Sequence, residues 1–561
     1  MRKIYDKILI SVFFIATVIS IFFRIYYGWD HDESYNILLA LRIADGKVLF
    51  KDMWDLHQTA AIFPAVLIKL YRSFTGAIDG LFVFLRAMSV LIQLFVGIYS
   101  FLVINRFYGW KCAGAVAVIV VNMLPRATQE IEYSTVSVWG MLICSMIFLS
   151  ISKEKTNYFF KLIVASFFYG AAVYAYPTLI VTIPFVIYLL VFVISKQNGL
   201  SESLLTILTF FGGCAVLVLL LFSYLFSNMT IADFFAVMVE LGKNGDHTSL
   251  VSAFLQWSSI VKNVIRLAGM LAATYVLKVF LKRFCRLDVG FAYIYIFITT
   301  LLVVILNITG IRPSGPFGLL ERYIGVLFLM FFLKSEQDDI DLVKIFGSLG
   351  LSLYIGVLFG SNLGFNENAM YLEEVLILFI ILALKNVKKY KDNAKKYVNI
   401  SIYVFLAGII FSSGYFIRVD GTKPANVLQC DAVMDYGPMK GIRVYREYKE
   451  VYDSIADSVD RITEGGKLYT ILTREALAYF YVNGEYISAQ YAATAQYYNE
   501  QWVDFYTLFG RELPDSFLVD KSDYPDINKL YKSVFGQWLE TEYEMSKLIN
   551  NENYWVLVLK D

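Results

Sequence analysis

The sequence predicts a polytopic α-helical membrane protein of about 13 spans, followed by an extracytoplasmic α/β domain at its C-terminal end. Three observations predict it. Of 561 residues, 58% are hydrophobic and only 17% charged, a balance too apolar over too long a chain for one soluble core. The apolar residues come in runs near the roughly 20 that a helix needs to cross a hydrocarbon layer of about 30 Å. From about Arg418 the pattern gives way to mixed polar and charged sequence with turn residues, which sets a boundary between residues 1–417 and 418–561.

Composition narrows function only by exclusion. A net charge of +1 says little about partners, because in a membrane protein the distribution of charge among loops matters and the sum does not. Nothing supports nucleic-acid binding. The five cysteines, Cys112, Cys144, Cys214, Cys285 and Cys430, include no CxxC pair, so neither a disulfide framework nor a thiolate metal site is suggested.

The basic stretch Met1 to Lys7 feeds directly into an apolar run from about Ile8 to Tyr27 that lacks a small-x-small cleavage site, and reads as a retained signal anchor. The further spans predicted are 81–104, 112–124, 137–151, 158–175, 178–195, 204–226, 264–281, 289–309, 323–334, 345–362, 369–385 and 398–417. Two of them, 112–124 and 323–334, are short enough to be tilted, broken or half-inserted. With Met1 in the cytoplasm, Lys and Arg recur on the inner connections, from Arg106 and Lys111 to Lys395 and Lys396. The outer connections are poorer in them, which gives a multi-pass plasma-membrane topology with the C-terminal domain outside.

On this topology the outer face receives the loops Gly28 to Asp79, Pro125 to Val136, Ser227 to Lys262 and Gly310 to Arg322. The first is itself helical. Asp32 or Ser34 caps a helix over Tyr35 to Ala44, where Ile37, Leu38, Leu41 and Ala44 recur at helical spacing, and Asp45-Gly46 ends it. A second helix runs from about His57 to Phe74, with Ile62, Phe63, Val66 and Leu70 on one face and Pro64 as a bend. Both are expected to lie in the membrane interface.

The stretch Gly28-Trp29-Asp30-His31-Asp32-Glu33-Ser34-Tyr35 puts three carboxylates directly after the first span. Acids grouped at the edge of a low-dielectric layer are functional candidates. The order of a basic terminus, one span, this acidic stretch, a helix ending Ala44-Asp45-Gly46, the aromatic turn Phe50-Lys51-Asp52-Met53-Trp54 and a second amphipathic helix resembles the first extracytoplasmic loop of the GT-C glycosyltransferases. The resemblance is to the branch of the protein O-mannosyltransferases and the lipid A aminoarabinose transferases, and covers residues 1–417 in topology. It implies an inverting transfer from a polyprenyl-phosphate-linked sugar to a lipid, glycan or protein hydroxyl, with the loop acid at the active site. Asp32-Glu33 matches the family's Asp-Glu better than Asp30 does, and Glu132 matches its second acidic position. Where the family often has a basic residue before a proline, this chain has His57-Gln58, so the resemblance leaves Lys51 or His57 to hold the carrier phosphate.

Such a transfer needs a base for the acceptor hydroxyl and donors for the departing phosphate. A phosphate leaves without being protonated, so one essential carboxylate suffices, unlike glycoside hydrolysis. Asp32 is the candidate base, with Glu33 or Asp30 orienting the acceptor and Glu130 or Glu132 as a second acid. In Gly310 to Tyr323, Arg312 and Arg322 offer planar forks suited to phosphate oxygens, and the Arg322-Tyr323 pair at the start of a span resembles a recurrent feature of these transferases. Each residue has a plainer reading: helix capping for Asp32 and Ser34, solvated loop acids for Glu130 and Glu132, interfacial anchors for Arg312 and Arg322. Three histidines do not suggest a histidine-based metal site, and no cofactor is expected; an Asp/Glu-bound divalent cation stays open. The C-terminal domain reads as a helix over Val444 to Ile462 and strands at Lys467 to Leu472, Ser516 to Val519 and Tyr554 to Leu559. It has no phosphate-binding loop and is expected to be a structural or acceptor-binding cap. The competing function is a transporter or flippase of a lipid-linked glycan or small solute, against which stands the absence of an internal repeat or paired broken helices.

Overall fold

The computed structural model describes residues 2–55, 57–124, 129–195, 199–242, 257–309, 336–360, 367–419, 423–492, 499–508, 511–547, 549 and 551–560. Among them, ten helices are long and apolar enough to cross a membrane. In chain order the helices are α1 (Arg2–Tyr26), α2 (His31–Ala44), α3 (Ile62–Thr75), α4 (Leu81–Tyr108), α5 (Trp110–Asn122), α6 (Tyr133–Lys153), α7 (Tyr158–Ala175), α8 (Ile183–Leu189), α9 (Leu200–Phe226), α10 (Ile231–Leu241), α11 (Trp257–Phe284), α12 (Phe291–Ile308), α13 (Ile340–Gly360), α14 (Glu373–Asn386) and α15 (Asp392–Tyr415). The chain is a polytopic α-helical membrane protein.

The spans follow hydropathy closely, with local chemistry deciding where they bend. Pro177 and Pro184 split the span 178–195 into a 3₁₀ turn, Pro177–Thr182, then α8, then a π turn, Leu190–Ile194, because a proline removes one donor from the ladder and crowds the turn before it. The short span 112–124 is α5, 13 residues long. The span 369–385 is a 3₁₀ turn, Glu367–Leu372, running into α14, and 323–334 lies outside the described residues.

Helix α6 is the axis of the bundle, buried along almost its whole length and packed on α4, α7 and α13. Gly140 lets α7 approach closely: a Cβ there would stand 2.6 Å from the carbonyl oxygen of Phe168 and 3.0 Å from the Cβ of Ala172. Small residues at a crossing are how helices associate where lipid is as apolar as the side chains. Helix α1 seals against α15, where Gly414 faces the backbone of Ser20.

The loop helices differ from the sequence expectation in three ways. Helix α2 begins at His31, four residues early, because Asp30 is its cap: the Asp30 side chain accepts from the Asp32 N–H at 3.3 Å, and Asp32 and Glu33 fall in the first turn. Neither Asp32 nor Ser34 caps it. Helix α3 begins at Ile62, so Pro64 sits in its first turn, where a missing N–H costs nothing, and makes no bend. Third, only α3 shows an open apolar face, with Val66 65% and Phe74 82% exposed; α2 is enclosed, Ile37 to Leu41 all being buried.

What encloses α2 is the C-terminal region. A hairpin of β1 (Phe416–Val419) and β2 (Lys423–Asn426) and a short pair of β3 (Ala432–Val433) and β4 (Arg443–Val444) lead into α16 (Arg446–Thr463). Then come β5 (Leu468–Leu472), β6 (Glu485–Tyr486), α17 (Glu500–Thr507), β7 (Ser516–Asp520), α18 (Asn528–Tyr531), α19 (Val534–Glu542), β8 (Tyr543–Met545) and β9 (Tyr554–Leu559). They form a five-stranded sheet of order β6-β5-β7-β9-β8, with β5 parallel to β6 and β7, and β9 antiparallel to β7 and β8. One face packs on Trp502, Phe505, Phe535 and Leu539. The other shares a single core with the loop: Tyr452 and Val459 of α16 and Ile471 and Leu518 of the sheet belong to the same buried cluster as Ile37, Leu41, Ile68 and Leu85.

Candidate active site

The first turn of α2 is held from three sides. Glu33 points inward and takes a bidentate pair from Arg86 of α4, Nε to Oε1 at 2.6 Å and Nη2 to Oε2 at 2.5 Å, with the two side chains 0% and 2% exposed. The same guanidinium donates to the carbonyls of Tyr27 at 3.2 Å and Gly28 at 2.8 Å, tying the end of α1 to the start of α2. Burial holds the Glu33 carboxyl above its ordinary range, and the charge and hydrogen bonds of Arg86 offset only part of that rise.

Asp32, one residue earlier, is half-buried at the start of the same turn. His31 beside it meets the C-terminal region: its Nδ1 lies 3.0 Å from Oε2 of Glu475. Burial lowers the His31 pKa, but the hydrogen bond and charge of Glu475, with Asp30, outweigh it and leave it above the ordinary value. Trp29 packs at 4.9 Å on Tyr448 of α16. At the far end of α2, Arg42 donates from Nε to the Tyr491 hydroxyl at 2.9 Å and lies 4.4 Å over the ring of Tyr486.

The second pair of acids sits against this turn. Asn36 of α2 donates to Oε2 of Glu130 at 3.1 Å. Behind Glu130, Gln129 donates to Ser89 Oγ at 2.8 Å and accepts from Arg24 Nη1 at 2.8 Å, while Gln93 accepts from Arg24 at 3.2 Å. Glu33, Asn36, Leu85, Arg86 and Glu130 line a cleft of about 10 Å³, room for a single water. Glu132 is buried as the cap of α6, its oxygens accepting from the N–H groups of Ser134 and Thr135, each at 2.9 Å, while the Thr135 hydroxyl contacts the Glu132 backbone N–H. Next to it, the rings of Tyr133 and His57 stack at 4.0 Å, and Tyr176 and Tyr371 extend the aromatic wall.

The predicted residues are thus partly assembled. Asp30, Asp32 and Glu33 share one turn; Glu130 joins it through Asn36, and Glu132 and His57 meet around Tyr133. Lys51 stands apart, exposed, with its Nζ 3.2 Å from the carbonyl of Asn228. Arg312, Arg322 and Tyr323 lie outside the described residues. Among the described residues no group of three or more His, Cys, Asp or Glu side chains is gathered as a metal site requires.

Sequence reasoning passed over Arg86 and Arg24, although a lone arginine within an apolar run is a signal in itself, since a charge there needs a partner. It also passed over Glu373 and Glu374 in the first turn of α14. Both are buried, and Glu373 Oε1 and both carboxylate oxygens of Glu374 have no hydrogen-bond partner among the described residues.

The architecture has known counterparts. The chain is similar to ArnT from Cupriavidus metallidurans bound to undecaprenyl phosphate, with a TM-score of 0.53 at 11% identity, covering 99% of this chain and 97% of that one. It is similar to the apo state of ArnT with a TM-score of 0.51 at 12% identity, covering 99% and 98%. No protein-family model and no curated protein matches the sequence. Both alignments cover nearly the whole of each chain: this chain has the GT-C fold of those structures.

Proposed function

We propose that the protein is an inverting glycosyltransferase that moves a sugar from a polyprenyl phosphate to a hydroxyl acceptor at the outer membrane face, with Asp32 as the base. The observation that carries the reading is the construction of the α2 first turn. Asp30 caps it, Glu33 is locked by Arg86, and Asp32 stands between them on a turn that buried partners fix from both sides. Rigid support of one carboxylate is what proton transfer from an attacking hydroxyl requires. The similar ArnT structure is bound to undecaprenyl phosphate, which supports a donor of that class.

In this reading the acceptor oxygen attacks the anomeric carbon as Asp32 takes its proton, and the carrier phosphate departs as an anion from the opposite side. Cationic and N–H groups hold the leaving phosphate where charge develops; Arg312, Arg322, His57 and Tyr323 are proposed for that role, whereas Lys51, exposed and bonded to the Asn228 carbonyl, is not. Glu33 acts through Arg86 as a positioning residue. Glu130 or Glu132 serves as the second acid, and Asp30 fixes the turn.

The test uses the full chain in liposomes with radiolabelled polyprenyl-phosphate sugars. Wild type is expected to place label on an acceptor, and Asp32→Asn to remain inserted and folded while losing transfer. Wild-type turnover by that variant refutes Asp32 as base; label that becomes protected without transfer makes the protein a transporter.

A further inference from the structure

The C-terminal sheet contains a topological switch. From the C-terminal end of β5 the chain turns to one side to make β6, then returns across the sheet to make β7 on the other side of β5, parallel to it. In parallel sheets the crevice outside the carboxyl ends of such a strand pair is where ligands bind, because the two connections diverge and leave a gap. Here the carboxyl ends are Thr473-Arg474-Glu475 after β5 and Asp520-Lys521-Ser522 closing β7. A cavity of about 340 Å³ opens there, lined by Glu475, Leu477, Asp520, Lys521 and Ser522, and walled by Tyr448, Val451, Tyr452 and Ile455 of α16 and by Glu552 and Asn553.

Its polar floor is built. Asp520 is buried and accepts from the Thr473 hydroxyl at 2.8 Å, the Ser522 N–H at 2.8 Å and the Ser522 hydroxyl at 2.7 Å. Thr473 Oγ1 in turn accepts from the Glu475 N–H at 2.9 Å. The Tyr554 hydroxyl is buried without a hydrogen-bond partner among the described residues and lies in the field of the same two carboxylates, Asp520 and Glu475. Among the lining residues three acids, Glu475, Asp520 and Glu552, stand against one cation, Lys521, whose Nζ donates to the Asn551 carbonyl at 2.6 Å and lies 4.2 Å over the ring of Trp555; Glu475 is also paired with His31 at 3.0 Å, so the lining keeps a smaller net negative charge.

We infer that this crevice is a carbohydrate subsite that seats the acceptor, a neutral or amino-substituted sugar of one or two rings. Asp520 is spent on Thr473 and Ser522, so the carboxylates that meet paired hydroxyls or an ammonium are Glu552 and Oε1 of Glu475. The half-buried ring of Tyr448, with Val451, Ile455 and Leu477, offers the apolar surface that a pyranose face covers. Excess negative charge turns away phosphates and uronates. The volume stands at the lower end of the roughly 300–1,000 Å³ typical of small-molecule sites. Glu475 lines the crevice and also holds His31, so a glycan seated there lies beside the turn that carries Asp32. The role as acceptor subsite rests on the transferase reading; the binding of sugar does not.

The experiment measures saturation-transfer NMR on the full chain in nanodiscs without donor, using cellobiose, chitosan disaccharide and digalacturonate. Cellobiose or the chitosan disaccharide is expected to bind, Tyr448→Ala to weaken it at least tenfold, Tyr448→Phe to retain it, and digalacturonate to give no signal. The exposed Glu552→Gln is expected to lower affinity for the chitosan disaccharide severalfold without affecting folding. Failure of both neutral and amino disaccharides to bind, preference for digalacturonate, or binding indifferent to Tyr448→Ala overturns the subsite. Sugar transfer from polyprenyl phosphate is assayed separately. Transfer without disaccharide binding refutes the subsite alone, and binding without any transfer refutes the transferase reading alone.

Discussion

Arg86→Met tests whether one buried ion pair organises the α2 turn. The substitution keeps the length of the side chain and removes every donor, stranding the Glu33 carboxylate at 0% exposure together with the carbonyls of Ile25, Tyr27 and Gly28. Removing one partner of a buried pair costs about 3–5 kcal/mol, and a buried carbonyl left without a donor about 1–3 kcal/mol more. Overlap between these effects brings the expected loss to about 4 kcal/mol. Glu33→Leu alone leaves a buried guanidinium that still meets the carbonyls of Arg24, Ile25, Tyr27 and Gly28, and costs about 3 kcal/mol by the same reasoning. The double variant Glu33→Leu/Arg86→Met buries no charge and leaves only the carbonyls unsatisfied, so it is expected to cost about 2 kcal/mol. That is far less than the sum of the singles, and the coupling of about 5 kcal/mol exceeds the usual range of about 0.5–3 kcal/mol because a buried charge is stranded in each single variant and none in the double. Detergent-titrated unfolding of the four proteins in mixed micelles measures the cycle. A loss under about 1 kcal/mol for Arg86→Met, or additivity of the two singles, refutes the claim that the pair holds the turn.

Other outcomes follow from the geometry. His31 has its pKa raised above the ordinary 6.5 on folding. Its contribution to stability is therefore fully present below that value and is lost as pH rises through the folded pKa; melting midpoints are expected to fall over that interval for wild type and not for His31→Gln. Glu132→Ala removes both acceptors at the start of α6 and is expected to destabilise by about 1–2 kcal/mol, with Glu132→Gln costing less. Lost turnover in Glu132→Gln at unchanged stability separates acid chemistry from capping. Gly140→Ala forces a Cβ to 2.6 Å from the Phe168 carbonyl oxygen, which a backbone atom cannot yield cheaply, so a loss of about 1–3 kcal/mol is expected in the same unfolding assay.

The sequence alone carried the class, the positions of most spans and the grouping of acids after the first span, because hydropathy and charge are written in consecutive residues. Lys467 to Leu472, Ser516 to Val519 and Tyr554 to Leu559 read as strands and are β5, β7 and β9 within a residue, since a short apolar run with aromatic and β-branched residues is equally local. Which carboxylate is spent on structure was not legible. Asp30 caps α2, Glu33 belongs to Arg86 53 residues away, and His31 meets Glu475 across 444 residues; no periodicity encodes a partner at that separation. The burial of α2 has the same origin. Its apolar stripe specifies only that something covers it, and lipid and a packed sheet satisfy that demand equally. The tertiary structure chose the C-terminal region, because Arg42, Trp29 and His31 find their polar and aromatic partners in Tyr491, Tyr448 and Glu475, which a hydrocarbon layer does not provide.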